Sequence, residues 1–426
     1  MTLTCLPPTK TITRTDCEKL DAADPLRHAR ERFCIEPGTV YLDGNSLGAM
    51  PASTPAAVGQ TMIHDWGVDL IRSWNTAGWA NLPQIVGDRL APLIGARPGE
   101  VVIADSTSVN IFKLLAGILM RPAMLAQPAR RTILTERGNF PTDIYIAEGI
   151  SAMLGDRYVL KLVDGAALVD ALDETVAAAL ITQVDYRSGF MHSMAALNQA
   201  ALRAGTSIVW DLSHSAGAVP LQLSENGTEF AVGCGYKYLN GGPGAPGFVY
   251  VRQAQQATFP TPLSGWFGHA EPFAFAPRYA PAADIRRFLC GTPSILGTVA
   301  LNEGIATFGG IDLNNLRAKS LALSDLFWRL MDSQCAGLDF TCVSPSDHTS
   351  RASHLSFAHE HGYAIMQAII ERGVIGDFRQ PNLMRFGFTP LYTRFVDCWD
   401  AVATIFEVVS TGAWRDQRFQ SRNQVT

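Results

Sequence analysis

Short β-rich, largely apolar runs recur along the chain at 101–103, 131–134, 179–182, 207–210 and 247–251. The stretches between most of them read as helices, for example 109–120 and 194–204. Strands alternating with helices predict a mostly parallel sheet covered on both faces. The largely apolar character of the strands fits burial on both sides. From 260 to 293 the chain is rich in Pro, Gly and aromatic residues, which predicts long irregular connections of the kind that often carry function. Past 295 the helical signal returns, and 352–357 and 383–388 read as strands of a smaller C-terminal α/β domain. The expected division is an N-terminal segment (1–64) packing with the small domain, a large domain (65–295) and the small domain itself (296–426).

Composition narrows the class. The 426 residues are 47% apolar and 17% charged, which excludes a disordered chain and leaves room for two or three domains. The net charge is −5 and no run of Lys or Arg points to nucleic acid or an anionic membrane. The first twenty residues have no apolar core of a secretory signal, and the densest apolar stretch, 114–120, is too short to span a bilayer. Eight cysteines are scattered with no CxxC pair, and the nine histidines show no ligand spacing. Neither a metal site nor a disulfide framework is expected, and a cytoplasmic enzyme is.

Two motif matches fail on context. Gly44-Asn45-Ser46-Leu47-Gly48 fits the nucleophile elbow of serine hydrolases, but too little chain precedes it for the sheet and oxyanion loop that such a site needs. Gly242-Pro243-Gly244-Ala245-Pro246-Gly247 fits a dinucleotide fingerprint, yet it carries two prolines and runs into a strand instead of opening a helix.

One constellation is chemically coherent. Asp211 ends an apolar strand, where open α/β sheets place their ligands. Lys237 follows between two tyrosines and before Gly241-Gly242. A lysine to hold the cofactor and an acid to keep a pyridine nitrogen protonated are what a pyridoxal phosphate (PLP) enzyme requires. Asp105-Ser106-Thr107-Ser108 opens a helix after a strand, a natural phosphate site. Phe140, in Asn139-Phe140-Pro141-Thr142-Asp143, offers an aromatic face.

Together with Tyr41-Leu42-Asp43-Gly44-Asn45-Ser46-Leu47-Gly48, Asp211-Leu212-Ser213-His214-Ser215-Ala216-Gly217, 236–242 and Gly265-Trp266-Phe267-Gly268-His269, these blocks resemble the kynureninase family over about 35–395. The resemblance implies the PLP-dependent transferase-like fold (fold type I), with a large PLP-binding domain. It implies a homodimer and hydrolysis of L-kynurenine to anthranilate and L-alanine, with 3-hydroxykynurenine as a further substrate. The setting it implies is tryptophan catabolism and NAD biosynthesis. Carried over by residue, Lys237 holds PLP and moves the substrate α-proton, Asp211 pairs with the pyridine nitrogen beside His214, and Tyr236 donates a proton. Thr107 and Ser108 bind the phosphate with Tyr236. Phe140 stacks on the ring, and Pro141, Thr142 and Asp143 belong to the same loop. Thr182 is a cofactor-contacting hydroxyl, and Trp266 and Thr292 reach the cofactor from the partner subunit. Arg385 holds the substrate α-carboxylate, a bidentate task suited to guanidinium, and Trp74 lies near the substrate ring. The competing readings are another fold type I enzyme, such as a cysteine desulfurase using Cys335 or Cys342, and a non-catalytic PLP-binding protein. Retention of Lys237, Asp211 and Arg385 weighs against the latter.

Overall fold

A computed structural model describes residues 12–422; Cys5 and residues 1–11 of the Thr-rich opening lie outside the described residues. The chain divides into two compact units: 54–186 with 192–305, and a second formed by the chain up to Ser53, 187–191 and the chain from Ala306 on. The breaks near 53 and 305 differ from the 64 and 295 read from the sequence.

The larger unit is built on a seven-stranded sheet. Its strands are β1 (Val101–Ile103), β2 (Thr132–Glu136), β3 (Val159–Val163), β4 (Val176–Thr182), β5 (Ser207–Asp211), β6 (Phe230–Cys234) and β7 (Gly247–Val251). Their order across the sheet is β1-β7-β6-β5-β4-β2-β3. All neighbours are parallel except β7, which runs antiparallel to both β1 and β6. The expected strands are present, with β2 and β4 longer than the apolar runs alone indicated. Strands β3 and β6 were not anticipated. Strand β3 is a sheet edge with polar Lys161 and mostly partial exposure, so it lacks the signature of burial.

The longest helices here are α1 (Leu82–Leu90), α2 (Thr107–Leu119), α3 (Pro141–Met153), α4 (Met194–Ala204) and α5 (Ile295–Ala306), with further helical segments between 54 and 76. Helix α2 begins two residues before the expected 109 because Ser106, in an extended conformation, accepts a hydrogen bond from the Val109 amide as N-cap. Its Ile111, Leu114, Leu115 and Ile118 pack into one core with Val102, Ile133, Leu180, Val209, Val232 and Val249. Each such side chain contributes roughly 1.5–3 kcal/mol on burial. Between 260 and 293 only short 3-10 turns interrupt the irregular path.

The smaller unit carries a four-stranded antiparallel sheet of β8 (Thr341–Cys342), β9 (His354–Ala358), β10 (Asp377–Arg379) and β11 (Leu383–Gly387), in the order β8-β9-β11-β10. Helices α6 (Leu313–Gln334), α7 (Gly362–Ile370) and α8 (Phe395–Ser410) cover it. The N-terminal chain is tied in by backbone and charge. Val40–Tyr41 pairs in parallel with Val374–Ile375, and the buried Lys319 and Asp24 form an ion pair at 2.7 Å. Among the described residues no helix is long and apolar enough to cross a membrane.

Candidate active site

Parallel strands all deliver their C-terminal ends to one side of the sheet, so residues distant in sequence meet there. Thr182 ends β4 opposite Asp211 at the end of β5. The Asn139–Asp143 segment follows β2, and Lys237 follows β6.

Asp211 and Asp143 are both buried. The Ser213 amide and hydroxyl donate to one oxygen of Asp211 at 2.9 and 2.6 Å. Burial nevertheless raises the Asp211 pKa, against the opposing pull of Ser213 and Lys237. Asp143 is pushed well above the carboxylate range, by burial first and then by the charge of Asp211. The Thr182 hydroxyl donates to the Asn139 carbonyl oxygen at 2.5 Å and lies 3.2 Å from Asp143 Oδ2. The same hydroxyl is positioned to donate to either oxygen, so Thr182 ties Asn139 and Asp143 together. Asn139 was quoted in the sequence block but given no task. It anchors the loop, donating to Thr135 Oγ1 at 3.0 Å and accepting from the Phe140 amide at 2.6 Å.

Lys237 is half-buried, with Nζ 6.0 Å from the centre of the Phe140 ring and 5.7 Å from that of Tyr236. Its charge acts on Asp211 and Asp143 alike. Burial raises the Tyr236 pKa, so its phenol keeps its proton. Phe140 stands at the start of α3, edge-on to Tyr186 at 5.2 Å. Pro141 and Thr142 form the first turn, in which Pro lacks only an N–H that would be unpaired anyway.

At the start of α2 the Thr107 hydroxyl oxygen is buried with no hydrogen-bond partner, and Ser108 beside it is half-buried. An orphaned donor at a helix N-terminus is a seat for an anion. Backbone packs closely here: a Cβ on Gly247 would lie 2.9 Å from the Gly233 oxygen and 3.1 Å from the Thr107 nitrogen. The residues present therefore fit PLP: an acid pair for the ring nitrogen, an aromatic ring, a lysine, and an unmet hydroxyl for the phosphate.

The remaining candidates are more dispersed. His214 is buried two residues past Leu212 in the Asp211 loop. Thr292 lines a cavity of about 250 Å³ together with Asp105, Gly244 and Cys290. Trp266 is partly exposed and packs against Phe267, Phe273 and Phe275. Trp74 sits between Trp79 and Phe267 at 6.1 and 5.9 Å.

Arg385 belongs to the smaller unit. It is 1% exposed on β11 and faces Asp377 across the strand pair. Its Nε donates to Asp377 Oδ1 at 2.6 Å, and its Nη2 donates to Asp377 Oδ2 and to Ser46 Oγ, the latter at 3.1 Å. Ser46 in turn donates to Asp377 at 2.6 Å. Ser46 is thus engaged with a carboxylate and a guanidinium. Burial pushes Asp377 up, but hydrogen bonds and charge from Arg385 outweigh it and hold its pKa low. Asp43, in the same block, is raised to about 7 by burial and by Asp377. Asp43 lies inside the 41–48 block and Asp377 six residues before the 383–388 strand, yet neither was given a task in the sequence. Burial lifts the Cys335 and Cys342 thiols to about 12 and about 11, which suits neither to nucleophilic work at neutral pH.

Comparison with known proteins gives a consistent result. The family model for the kynureninase C-terminal domain matches residues 316–405. A kynureninase of Burkholderia pseudomallei (strain 1106a) is 52% identical over 415 residues, spanning 97% of this chain and 100% of the relative. A kynureninase of Pseudomonas fluorescens is 49% identical over the same length and coverage. Among solved structures, the apo cysteine desulfurase of Thermococcus onnurineus NA1 is similar at a TM-score of 0.75 and 18% identity, covering 90% of this chain and 98% of that one. A C-DES mutant with glycine covalently linked to its PLP cofactor is similar at 0.77 and 16%, covering 89% and 99%. At such identities these structures speak for the fold alone, which is fold type I of the PLP enzymes.

Proposed function

The chain belongs to the kynureninase family, and on that premise we propose which of its residues carry the reaction. The activity is PLP-dependent hydrolysis of the Cβ–Cγ bond of L-kynurenine, giving anthranilate and L-alanine. Bound PLP supplies an electron sink for the carbanion formed at the substrate α-carbon. Lys237 holds the cofactor and moves the α-proton. Asp211 keeps the ring nitrogen protonated, and the upward push of burial on its pKa marks a carboxylate that gains from a cationic partner. Asp143 shares that environment, with Thr182 and Asn139 fixing its loop. Thr107 and Ser108 at the α2 N-terminus bind the phosphate dianion, and Phe140 with Pro141 and Thr142 frames the ring. His214 lies beside Asp211, and Trp266 and Thr292 reach a partner's cofactor. Tyr236, kept protonated by burial, is the proton donor. Arg385, held by Asp377 and Ser46, takes the substrate α-carboxylate, and Trp74 borders the aromatic ring.

The observation that carries this reading is the buried Asp211–Asp143 pair under the charge of Lys237 at the C-terminal ends of the parallel strands. The test is to load the protein with PLP, add L-kynurenine and follow anthranilate fluorescence, with Lys237→Ala alongside. Anthranilate from the wild type and none from the variant is expected. Equal rates in both would reject Lys237.

We also propose a homodimer. Met62, Ile63, Trp66, Val68 and Ile71 form an exposed apolar strip, Ile63 and Ile71 at 76% exposure, of a kind that marks an interface. Light scattering should give twice the 46.1 kDa chain mass; the single-chain mass would reject it. L-kynurenine is preferred to 3-hydroxykynurenine, with Trp74 the residue concerned, and the ratio of kcat/KM values decides this. The setting is tryptophan degradation in the cytoplasm, which fractionation of producing cells tests.

A further inference from the structure

Lys113 lies on α2 about one and a half turns past the phosphate seat, and only 2% of its side chain is exposed. A buried ammonium is unfavourable unless paired and hydrogen-bonded. Here it has two partners. One is the carboxylate of Asp105, which is 34% exposed. The other is the Phe288 carbonyl, at 2.6 Å. Neither partner is a core accident. Asp105 is the residue before the Ser106 cap, and it holds a positive φ of 42°. That region is unfavourable for a residue with a side chain. Phe288 closes a 3-10 turn that leads into Leu289, Cys290 and Thr292, and these line the same cavity as Asp105. The backbone of the turn is pinned as well. The Asp105 carbonyl accepts from the Gly247 amide at 2.8 Å, and the Ala104 carbonyl accepts from Asn110 Nδ2 at 2.7 Å.

We propose that Lys113 is a positioning residue for the cofactor's phosphate: its ammonium, bridging Asp105 and the Phe288 carbonyl, fixes the shape of the turn that presents the α2 N-terminus and holds the Thr292 loop against it. The proposal rests on the phosphate reading of Thr107 and Ser108. Lys113 does not touch the phosphate. It holds the strained Asp105 conformation, so that the amides at the helix start and the unpartnered Thr107 hydroxyl are already aimed when the dianion arrives.

Two ligands separate this role from general damage. PLP and pyridoxal share the aldehyde and the ring, and only PLP carries the phosphate. Cofactor-stripped full-length protein is titrated with each, and the Kd is read from the absorbance of the lysine-bound chromophore. In Lys113→Met the Kd for PLP should rise about tenfold or more, the scale of one lost charge-assisted hydrogen bond, while that for pyridoxal stays unchanged. An unchanged PLP Kd, or equal weakening of both ligands, overturns the proposal. Asp105→Asn keeps a residue tolerant of positive φ and removes only the charge. It carries the same comparison if the methionine variant does not fold, with PLP alone again expected to weaken. A wild type that forms no chromophore with either ligand overturns the Lys237 reading instead.

Discussion

Arg385 and Asp377 lend themselves to a double-mutant cycle that separates stability from substrate binding. Both side chains are almost wholly buried and joined by two hydrogen bonds. Asp377→Asn leaves the Arg385 cation buried without its counter-charge, a loss of about 3–5 kcal/mol. Arg385→Met leaves Asp377 with Arg379, whose Nη2 is 2.8 Å away and better solvated, so this change should cost less, about 2–3 kcal/mol. The double variant removes both charges together and should be less damaging than the sum of the singles by about 2 kcal/mol or more. Urea unfolding followed by tryptophan fluorescence reads these costs as midpoint shifts at constant slope. Additive costs would refute the claim that the pair acts as a unit. The folded double variant then tests function directly. Without a guanidinium its KM for L-kynurenine should rise about a hundredfold, the value of a charged bidentate contact. A KM near that of the wild type would remove Arg385 from the substrate site.

Asp211→Asn should retain PLP yet lose turnover by about a hundredfold or more, because an amide cannot hold the ring nitrogen protonated; near-normal turnover rejects its role. Asp43 gives a pH signature. Its folded pKa of about 7 exceeds that of an unfolded Asp, so the fold favours the protonated form. Its contribution is present below about pH 4 and is lost as pH rises through 7, by at most about 4 kcal/mol. Asp43→Asn should flatten the stability profile between pH 4 and 7 in denaturant titrations, and a profile identical to wild type would show that Asp43 titrates normally.

The candidate site was proposed from the sequence because its residue types fall at strand ends. Asp211 after an apolar strand, Lys237 between tyrosines, and a Ser/Thr-rich helix start after β1 each had a readable physical reason, and the family blocks gave them an order. The apolar runs at 101–103 and 247–251 appeared as strands at the same limits, since strands buried on both faces leave an unbroken hydrophobic record.

Other features depended on the folded chain. Edge strand β3 has no such record, because an edge with partial exposure tolerates polar residues. The antiparallel direction of β7 left no mark, since strand direction is set by the connection and not by the residues within the strand. The partners of Arg385 come from Ser46 and Asp377, hundreds and a few residues away, and only the register of β10 on β11 brings that carboxylate opposite the guanidinium. Lys113 reads in sequence as an ordinary helix lysine. The sequence by itself determined which candidate groups this protein carries at its strand ends and helix starts. Tertiary structure decided which of them are desolvated and paired, because burial and pairing are properties of the space between elements, and they set the protonation states through which those groups act.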